Sequence, residues 1–293
     1  TEYADGYLWV TNAGASSAAT PNYLAQIDIS GASPVVVNNY VQASTSGWGW
    51  RDLAFDGTYL YASESTTIQQ IDPVTGAATG VTIPGPENPN RALAYDPATD
   101  HFWTVNFGGS LYEIDRSGTV INSFTNPVSS YGAGWDAWSA GGPYIWLNAG
   151  TSTGDTYHMD QVDPTTGLLT GLSYTGTALA IAGGLDVDVD VAPGFIAAVA
   201  LGQGTPDIVD VWELGLYGAP TDPLAPENLS AYSDYTMPTS MDLAWTDPTA
   251  YINGNPLTNF QILIYQDAVL IDSVGMGVET YTATGLTDGQ MYT

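Results

Sequence analysis

The sequence predicts an all-β chain: a β-propeller of about five four-stranded blades, followed by a second, smaller β module. Three observations carry this. Four strand patterns stand in a row between Gly47 and Gly85, each closed by a turn signal. The same pattern recurs, with turn residues Asp28, Asp72, Asp115 and Asp163 spaced by 44, 43 and 48 residues, the roughly 40–50-residue period of propeller blades. Beyond a Pro-rich stretch, a separate set of strands begins.

In the Gly47–Gly85 unit, Arg51 to Asp56 is the first strand, Asp56-Gly57 the turn, Tyr59 to Ser63 the second strand and Thr67 to Asp72 the third. Asp72-Pro73-Val74-Thr75-Gly76 puts Pro where φ is already fixed and Gly where φ must be positive, and Ala77 to Ile83 returns as the fourth strand. Such a sheet cannot bury both faces alone, so it requires neighbours like itself. Arg91 to Asp96 repeats Arg51 to Asp56, His101 to Val105 follows, and Ser110 to Asp115 repeats the third strand and its turn. Another copy runs from Trp135 through Tyr144–Leu147 and Asp160–Gly167. Upstream, Tyr7–Thr11 and Leu24–Asp28 supply a second and third strand but no first. Downstream, Leu185–Asp190, Phe195–Leu201 and Ile208–Leu214 supply three strands but no fourth. These incomplete end copies lead to the expectation that residues before Thr1 complete the ring, the alternative being an open edge that another chain pairs with.

The propeller is expected over residues 1–217, a stiff linker over 218–226, and the second module over 227–293. Glu227–Tyr232 and Ser240–Thr246 read as strands, the latter by strict alternation, and Asn259–Gln266 with Val269–Val274 as a hairpin about Asp267-Ala268. The Pro-opened first strand, Trp245 in the second, and Gly285, Leu286, Gly289 and Tyr292 in a Gly-Leu-x-x-Gly-x-x-Tyr segment resemble the fibronectin type III domain, an immunoglobulin-like sandwich. That resemblance implies seven strands and roughly 100 residues, so the chain is expected to continue past Thr293. The propeller phrases Leu53-Ala-Phe-Asp-Gly-Thr-Tyr-Leu-Tyr61, Leu93-Ala-Tyr-Asp-Pro-Ala-Thr-Asp-His-Phe-Trp103 and Ile71-Asp-Pro-Val-Thr-Gly76 resemble those of large secreted bacterial surface proteins. That resemblance implies location and architecture rather than chemistry.

Charge is the informative part of the composition. The net charge of −28 arises from 31 acidic residues against Arg51, Arg91 and Arg116, with no lysine. Total charge of 12% is about half the usual roughly 25%, so the surface is expected to be Ser, Thr, Asn, Gly and Tyr. Nucleic acid and anionic membranes are poor partners, since phosphates would go unneutralised. In acid, protonated carboxylates leave almost no charge, which removes the cationic repulsion behind much acid unfolding. With no cysteine there is no thiolate chemistry and no Cys-based metal site. No apolar run approaches the roughly 18 residues of a membrane helix, and the lack of an initiator Met or apolar leader reads as a mature or excised segment.

Several constellations have a functional and a structural reading. Asp186, Asp188 and Asp190 alternate with valines, placing three carboxylates on one strand face; Ca²⁺ would neutralise them, and otherwise they border a wet channel or cap a turn. Trp48, Trp50, Trp135 and Trp138 are expected on loops converging at one propeller end, where rings stack on sugars or pack between blades. Trp103, Trp146 and Trp212 are expected between blades. Arg51 and Arg91 occupy equivalent positions: they are anion hooks, or, the favoured reading, partners of carboxylates such as Asp52 or Asp136. His101 and His158 fall in no ligand-spaced cluster, Asn228-Leu-Ser230 is a formal glycosylation sequon, and no catalytic triad or pair of sugar-hydrolysing carboxylates stands out. The expected role is therefore a non-enzymatic extracellular structural or adhesive module. It would pair with copies of itself or other surface proteins, assembly through open β edges into a filament, tube or sheet being the specific version of this expectation. The alternatives are a glycan-binding propeller and, third, a propeller glycosidase or lyase.

Overall fold

A computed structural model describes residues 1–12, 21–31, 33–44, 46–217, 223–234, 236–251, 256–257 and 259–292. Of the expected linker, 218–222 lie outside the described residues. The chain divides into two compact units, Thr1–Gly215 and Leu216–Thr293. Every described regular element is a strand.

Unit 1 is built on the β-propeller plan: antiparallel sheets that follow one another in sequence, each with its strands in chain order. The first sheet contains β1 (Glu2–Ala4), β2 (Tyr7–Asn12), β3 (Tyr23–Asp28) and β4 (Val35–Val41). The second contains β5 (Leu53–Phe55), β6 (Leu60–Ser63), β7 (Thr67–Asp72) and β8 (Ala77–Pro84). The third contains β9 (Ala92–Asp96), β10 (His101–Val105), β11 (Ser110–Ile114) and β12 (Val120–Thr125). The fourth contains β13 (Ser130–Asp136), β14 (Tyr144–Ala149), β15 (Thr156–Val162) and β16 (Leu169–Leu179). The fifth contains three strands, β17 (Ile181–Asp188), β18 (Phe195–Gln203) and β19 (Ile208–Leu216).

One expectation is corrected. The first sheet has its inner strand, β1, and also an outer one, β4; β1 is only three residues long and offers no alternation to read. Along the inner row β1 packs on β5, β5 on β9, β9 on β13 and β13 on β17, and β1 also lies against β17.

The turns explain the repeat. Asp72 Oδ1 accepts the Val74 amide at 2.8 Å, Oδ2 accepts the Thr75 hydroxyl at 3.0 Å, and the Gly76 amide returns to the Asp72 carbonyl. Asp163 does the same for Thr165 and Gly167. Gly76 (φ 67°) and Gly167 (φ 69°) also sit under rings of the preceding sheet: a Cβ would fall 2.1 Å from Tyr40 Cγ in the first case and 2.4 Å from Phe124 in the second. In the second and fourth sheets the turn thus doubles as an inter-sheet contact.

The core lies between sheets, in four apolar clusters that join the first to the second, the second to the third, and so on to the fifth. Neighbouring residues of one strand serve opposite interfaces. Phe102 packs toward the second sheet and Trp103 toward the fourth; Ile145 and Leu147 face the third sheet while Trp146 faces the fifth. Middle strands are therefore apolar on both faces, and Trp103 and Trp146 lie between sheets as expected. Arg116 ties the second and third sheets, donating to both oxygens of Asp100 (2.8 and 2.9 Å), to Asp56 Oδ2 (2.9 Å) and to the Tyr61 hydroxyl.

Unit 2 has a sheet of β20 (Glu227–Tyr232), β21 (Ser240–Thr246) and β24 (Thr280–Thr284), and a hairpin of β22 (Gln261–Gln266) and β23 (Val269–Gly275). Asp267 and Ala268 both have positive φ, 48° and 65°, as a tight hairpin turn requires.

Candidate functional site

The inner strands of unit 1 run the same way, so residues that open them gather at one mouth of the row and residues that end them at the other. Arg51 and Arg91 stand just ahead of β5 and β9, and Tyr131 is the second residue of β13, each forty residues from the last (91 − 51 and 131 − 91). All three line one cavity of about 340 Å³ together with Trp48, Phe107 and Gln203.

Backbone bonds fix these positions. The Arg51 amide donates to the Ser63 carbonyl at 2.8 Å and the Arg91 amide to Val105 at 3.0 Å, while the Ser63 hydroxyl donates to the Arg91 carbonyl at 2.8 Å. β13 is irregular between Ser130 and Gly132, a bulge of the kind that re-aims a side chain, and Tyr131 stands there. Phe107 has φ 45°, a left-handed conformation uncommon for a bulky residue. It is held by its carbonyl, which accepts from the Ser130 amide at 3.2 Å and from Asn126 Nδ2.

The arginines do not pair as the sequence reading favoured. Among the described residues neither guanidinium has a carboxylate oxygen within 4.0 Å. The expected partners are engaged elsewhere. Asp52 is fully buried, with Oδ1 on the Thr1 ammonium at 2.9 Å and Oδ2 accepting the Leu93 and Ala133 amides at 3.1 and 2.9 Å. Asp136, at the far end of β13, accepts the Trp138 and Ser139 amides and Trp146 Nε1. Glu64 accepts from the Ser44 hydroxyl, the Ser46 amide and Gln69 Nε2. Arg51 and Arg91 have aromatic neighbours instead: Arg91 lies 3.7 Å from the Phe107 ring centre and 5.3 Å from that of Tyr131, and Arg51 lies 5.6 Å from Trp48. The Nε groups of both are buried without a hydrogen-bond partner. Burial, followed by the charge of Arg51, pushes Arg91 down to about 10. Burial lowers Arg51 as well, partly opposed by Glu64.

The opposite mouth is acidic. Asp186 is pushed up to about 7, first by burial and then by Asp188, while its Oδ2 accepts the Tyr3 amide at 2.9 Å. Glu2 is raised well above the ordinary range, by burial and then by Asp186. β17 ends at Asp188, so the expected three-step alternation stops there. Asp190 lies beyond the strand, its amide donating to Asp188 Oδ1 at 2.6 Å. Among the described residues no group of three such side chains is arranged to hold a metal ion.

The four tryptophans do not converge. Trp48 and Trp50 stand ahead of β5 at the arginine mouth, whereas Trp135 and Trp138 line a cavity of about 220 Å³ at the acidic one. Trp50 is 2% exposed and Trp135 8%, the latter stacked on Trp103 at 6.4 Å; both serve sheet interfaces, and only Trp48, 57% exposed, offers a free ring. His101 pairs with Glu113 at 2.7 Å and His158 with Asp160 at 2.6 Å, each within its own sheet.

No protein-family model matches the chain, and no curated protein matches it. Among solved structures it is similar to a chain in a crystal structure of the mitotic checkpoint complex, with 15% identity over 73% of this chain and 62% of that one, TM-score 0.40. It is also similar to the WD40 domain of Neurospora crassa Pan2, with 12% identity over 86% of this chain and 64% of that one, TM-score 0.42. The chain spans less than two thirds of the length of either.

Sequence reasoning missed Phe107, Tyr131 and Gln203. A signal existed for Tyr131 in its forty-residue offset from Arg91. Phe107 follows the second strand β10, Gln203 is the last residue of the second strand β18, and neither carries a local mark.

Proposed function

We propose that unit 1 is a closed five-bladed propeller serving as a non-enzymatic binding module, and that its arginine mouth takes an anionic group. Closure is supported by the inner row, in which β1 lies against both β5 and β17. One observation carries the binding reading. In a chain of net charge −28, two of the three Lys/Arg side chains stand at one cavity with no carboxylate within 4.0 Å among the described residues and with buried, unpartnered Nε groups. A desolvated cation without a counter-charge is unfavourable, a second one nearby adds repulsion, and a bound anion relieves both.

The setting we propose is the surface of a secreted bacterial protein, with an adhesive role. The sparse charge, the absence of Lys and Cys and the sequence resemblance support it. A fibronectin type III-like arrangement is our reading of unit 2, supported by the strand order of the β20–β21–β24 sheet and β22–β23 hairpin, by the buried Trp245, and by the Tyr292 hydroxyl, which accepts the Thr287 amide at 2.8 Å. Calorimetry of the full chain tests the binding reading. At constant ionic strength, acetate is expected to raise the melting temperature saturably over chloride, and an Arg51→Gln/Arg91→Gln variant to lose that rise. An equal rise in both proteins refutes it.

A second reading, self-assembly, is favoured by the exposed apolar row Val35, Val36, Val37 and Val41 on outer strand β4. Electron microscopy across pH and Ca²⁺ concentration tests it; dispersed particles under all conditions refute it.

A further inference from the structure

We propose that the group taken at the arginine mouth is the carboxylate of an acidic saccharide, a uronic-acid residue whose ring lies against Trp48. The inference rests on the anion-binding reading above and names the ligand class.

Charge number comes first. The mouth offers two guanidiniums and no lysine, inside a chain that is otherwise strongly negative. A polyphosphate or heavily sulfated chain brings more negative charge than two cations balance, and the remaining field repels the excess. A singly charged carboxylate gains the local attraction at the least long-range cost. Its planar pair of oxygens also matches the guanidinium fork.

The rest of the lining selects what carries that carboxylate. Trp48 presents an indole that is 57% exposed beside Arg51. An exposed ring flanking a polar cavity suits the apolar face of a pyranose, which has hydroxyls on its rim and C–H groups on its face. Gln203 donates its Nε2 to the Ala182 carbonyl, which turns the amide so that Oε1 remains an acceptor for a sugar hydroxyl. The cavity of about 340 Å³ sits at the low end of the roughly 300–1,000 Å³ of ligand sites, room for a ring rather than for a length of polypeptide. Phe107, strained at φ 45° and 4.8 Å from Tyr131, closes the wall behind Arg91. Strain of this kind persists where surrounding structure imposes it, often at ligand clamps.

Isothermal titration calorimetry on the full chain decides it, with galacturonate, its methyl ester, galactose, acetate, inorganic phosphate and a short peptide with a free C-terminus as probes. Galacturonate is expected to bind saturably, and the ester and galactose about tenfold more weakly or not at all, as loss of a charge-assisted pair implies. Arg51→Gln and Arg91→Gln each weaken galacturonate by a similar factor. Trp48→Ala weakens galacturonate about threefold to tenfold, the range of an aromatic contact, and leaves acetate unchanged. If acetate binds through the arginines but galacturonate binds no tighter, the saccharide assignment falls and the anion site stands. A peptide or phosphate that outbinds galacturonate overturns the assignment in the same way. If none of these anions binds, both readings fall.

Discussion

Replacing Arg91 by methionine is expected to stabilise unit 1, because the guanidinium sits at a cost the protein does not itself offset. Each tenfold change in proton affinity corresponds to about 1.4 kcal/mol. The fall from 12.5 to about 10 therefore sets a ceiling of about 3.5 kcal/mol at that exchange rate. Arg91 is only partly buried, so solvent screening cuts this to about 1.5 kcal/mol. Losing the contact with the Phe107 ring takes back about 0.5 kcal/mol, while methionine keeps the packing of the aliphatic stem. The net gain is about 1 kcal/mol, or roughly 2–4 °C for a unit of this size. The sign is consistent with the depressed basicity: the cost is full at every pH below about 10, where the group is charged in both states, and fades above it. Thermal and urea unfolding at pH 7 measure the gain. Because Arg51 supplies part of the cost, Arg91→Met should gain less in an Arg51→Met background, by about 0.5 kcal/mol. A loss of 1 kcal/mol or more in Arg91→Met would mean that the guanidinium is compensated after all, and the electrostatic case for the mouth would fail.

Three further outcomes follow from the same structure. Gly76→Ala and Gly167→Ala should each lose about 2–4 kcal/mol in urea unfolding, combining left-handed strain with collision against Tyr40 or Phe124. Gly57→Ala, with φ 87° and open space around it, should lose only about 1 kcal/mol, and equal losses at all three sites would dismiss the inter-sheet contact. Asp186 is a weaker acid in the folded protein, its pKa pushed up to about 7 by burial and then by Asp188, with Glu2 also beside it. Its contribution is complete below the ordinary carboxylate range and is lost as pH rises toward and through 7, by at most about 4 kcal/mol. Asp186→Asn should flatten that slope and be more stable than the parent at pH 8; a parent whose stability is level from pH 4 to 8 contradicts it. Arg116→Met should cost about 1–2 kcal/mol, since it breaks a bidentate pair with Asp100 and contacts to Asp56 and Tyr61 that are partly exposed; no measurable loss would show that the clamp is screened away.

What the sequence revealed and what it withheld divide along a physical line. The Asp-x-x-x-Gly turns at Asp72 and Asp163 were legible because their bonds close within five residues and glycine is required by local φ. The outer strand β4 was not, because its side chains are mostly exposed and its valines carry no alternation between a buried and a wet face. The tryptophans illustrate an error of direction: Trp48 precedes its inner strand while Trp135 and Trp138 stand at or past the end of theirs, and a strand carries its two ends to opposite mouths. The arginines illustrate something else. Their equivalent placement could be read from a forty-residue offset, yet their lack of a partner could not, since it depends on Asp52 having been claimed by amides of the third and fourth sheets. Sequence proximity made Asp52 the obvious counter-ion for Arg51. Alternation along the strand sends the two side chains to opposite sides, and the carboxylate that looks adjacent in the sequence becomes a tie between inner strands. The unpaired state of Arg51 and Arg91 is thus a by-product of that tie: with the nearest carboxylate holding neighbouring inner strands together, the two guanidiniums are left without a counter-charge among the described residues.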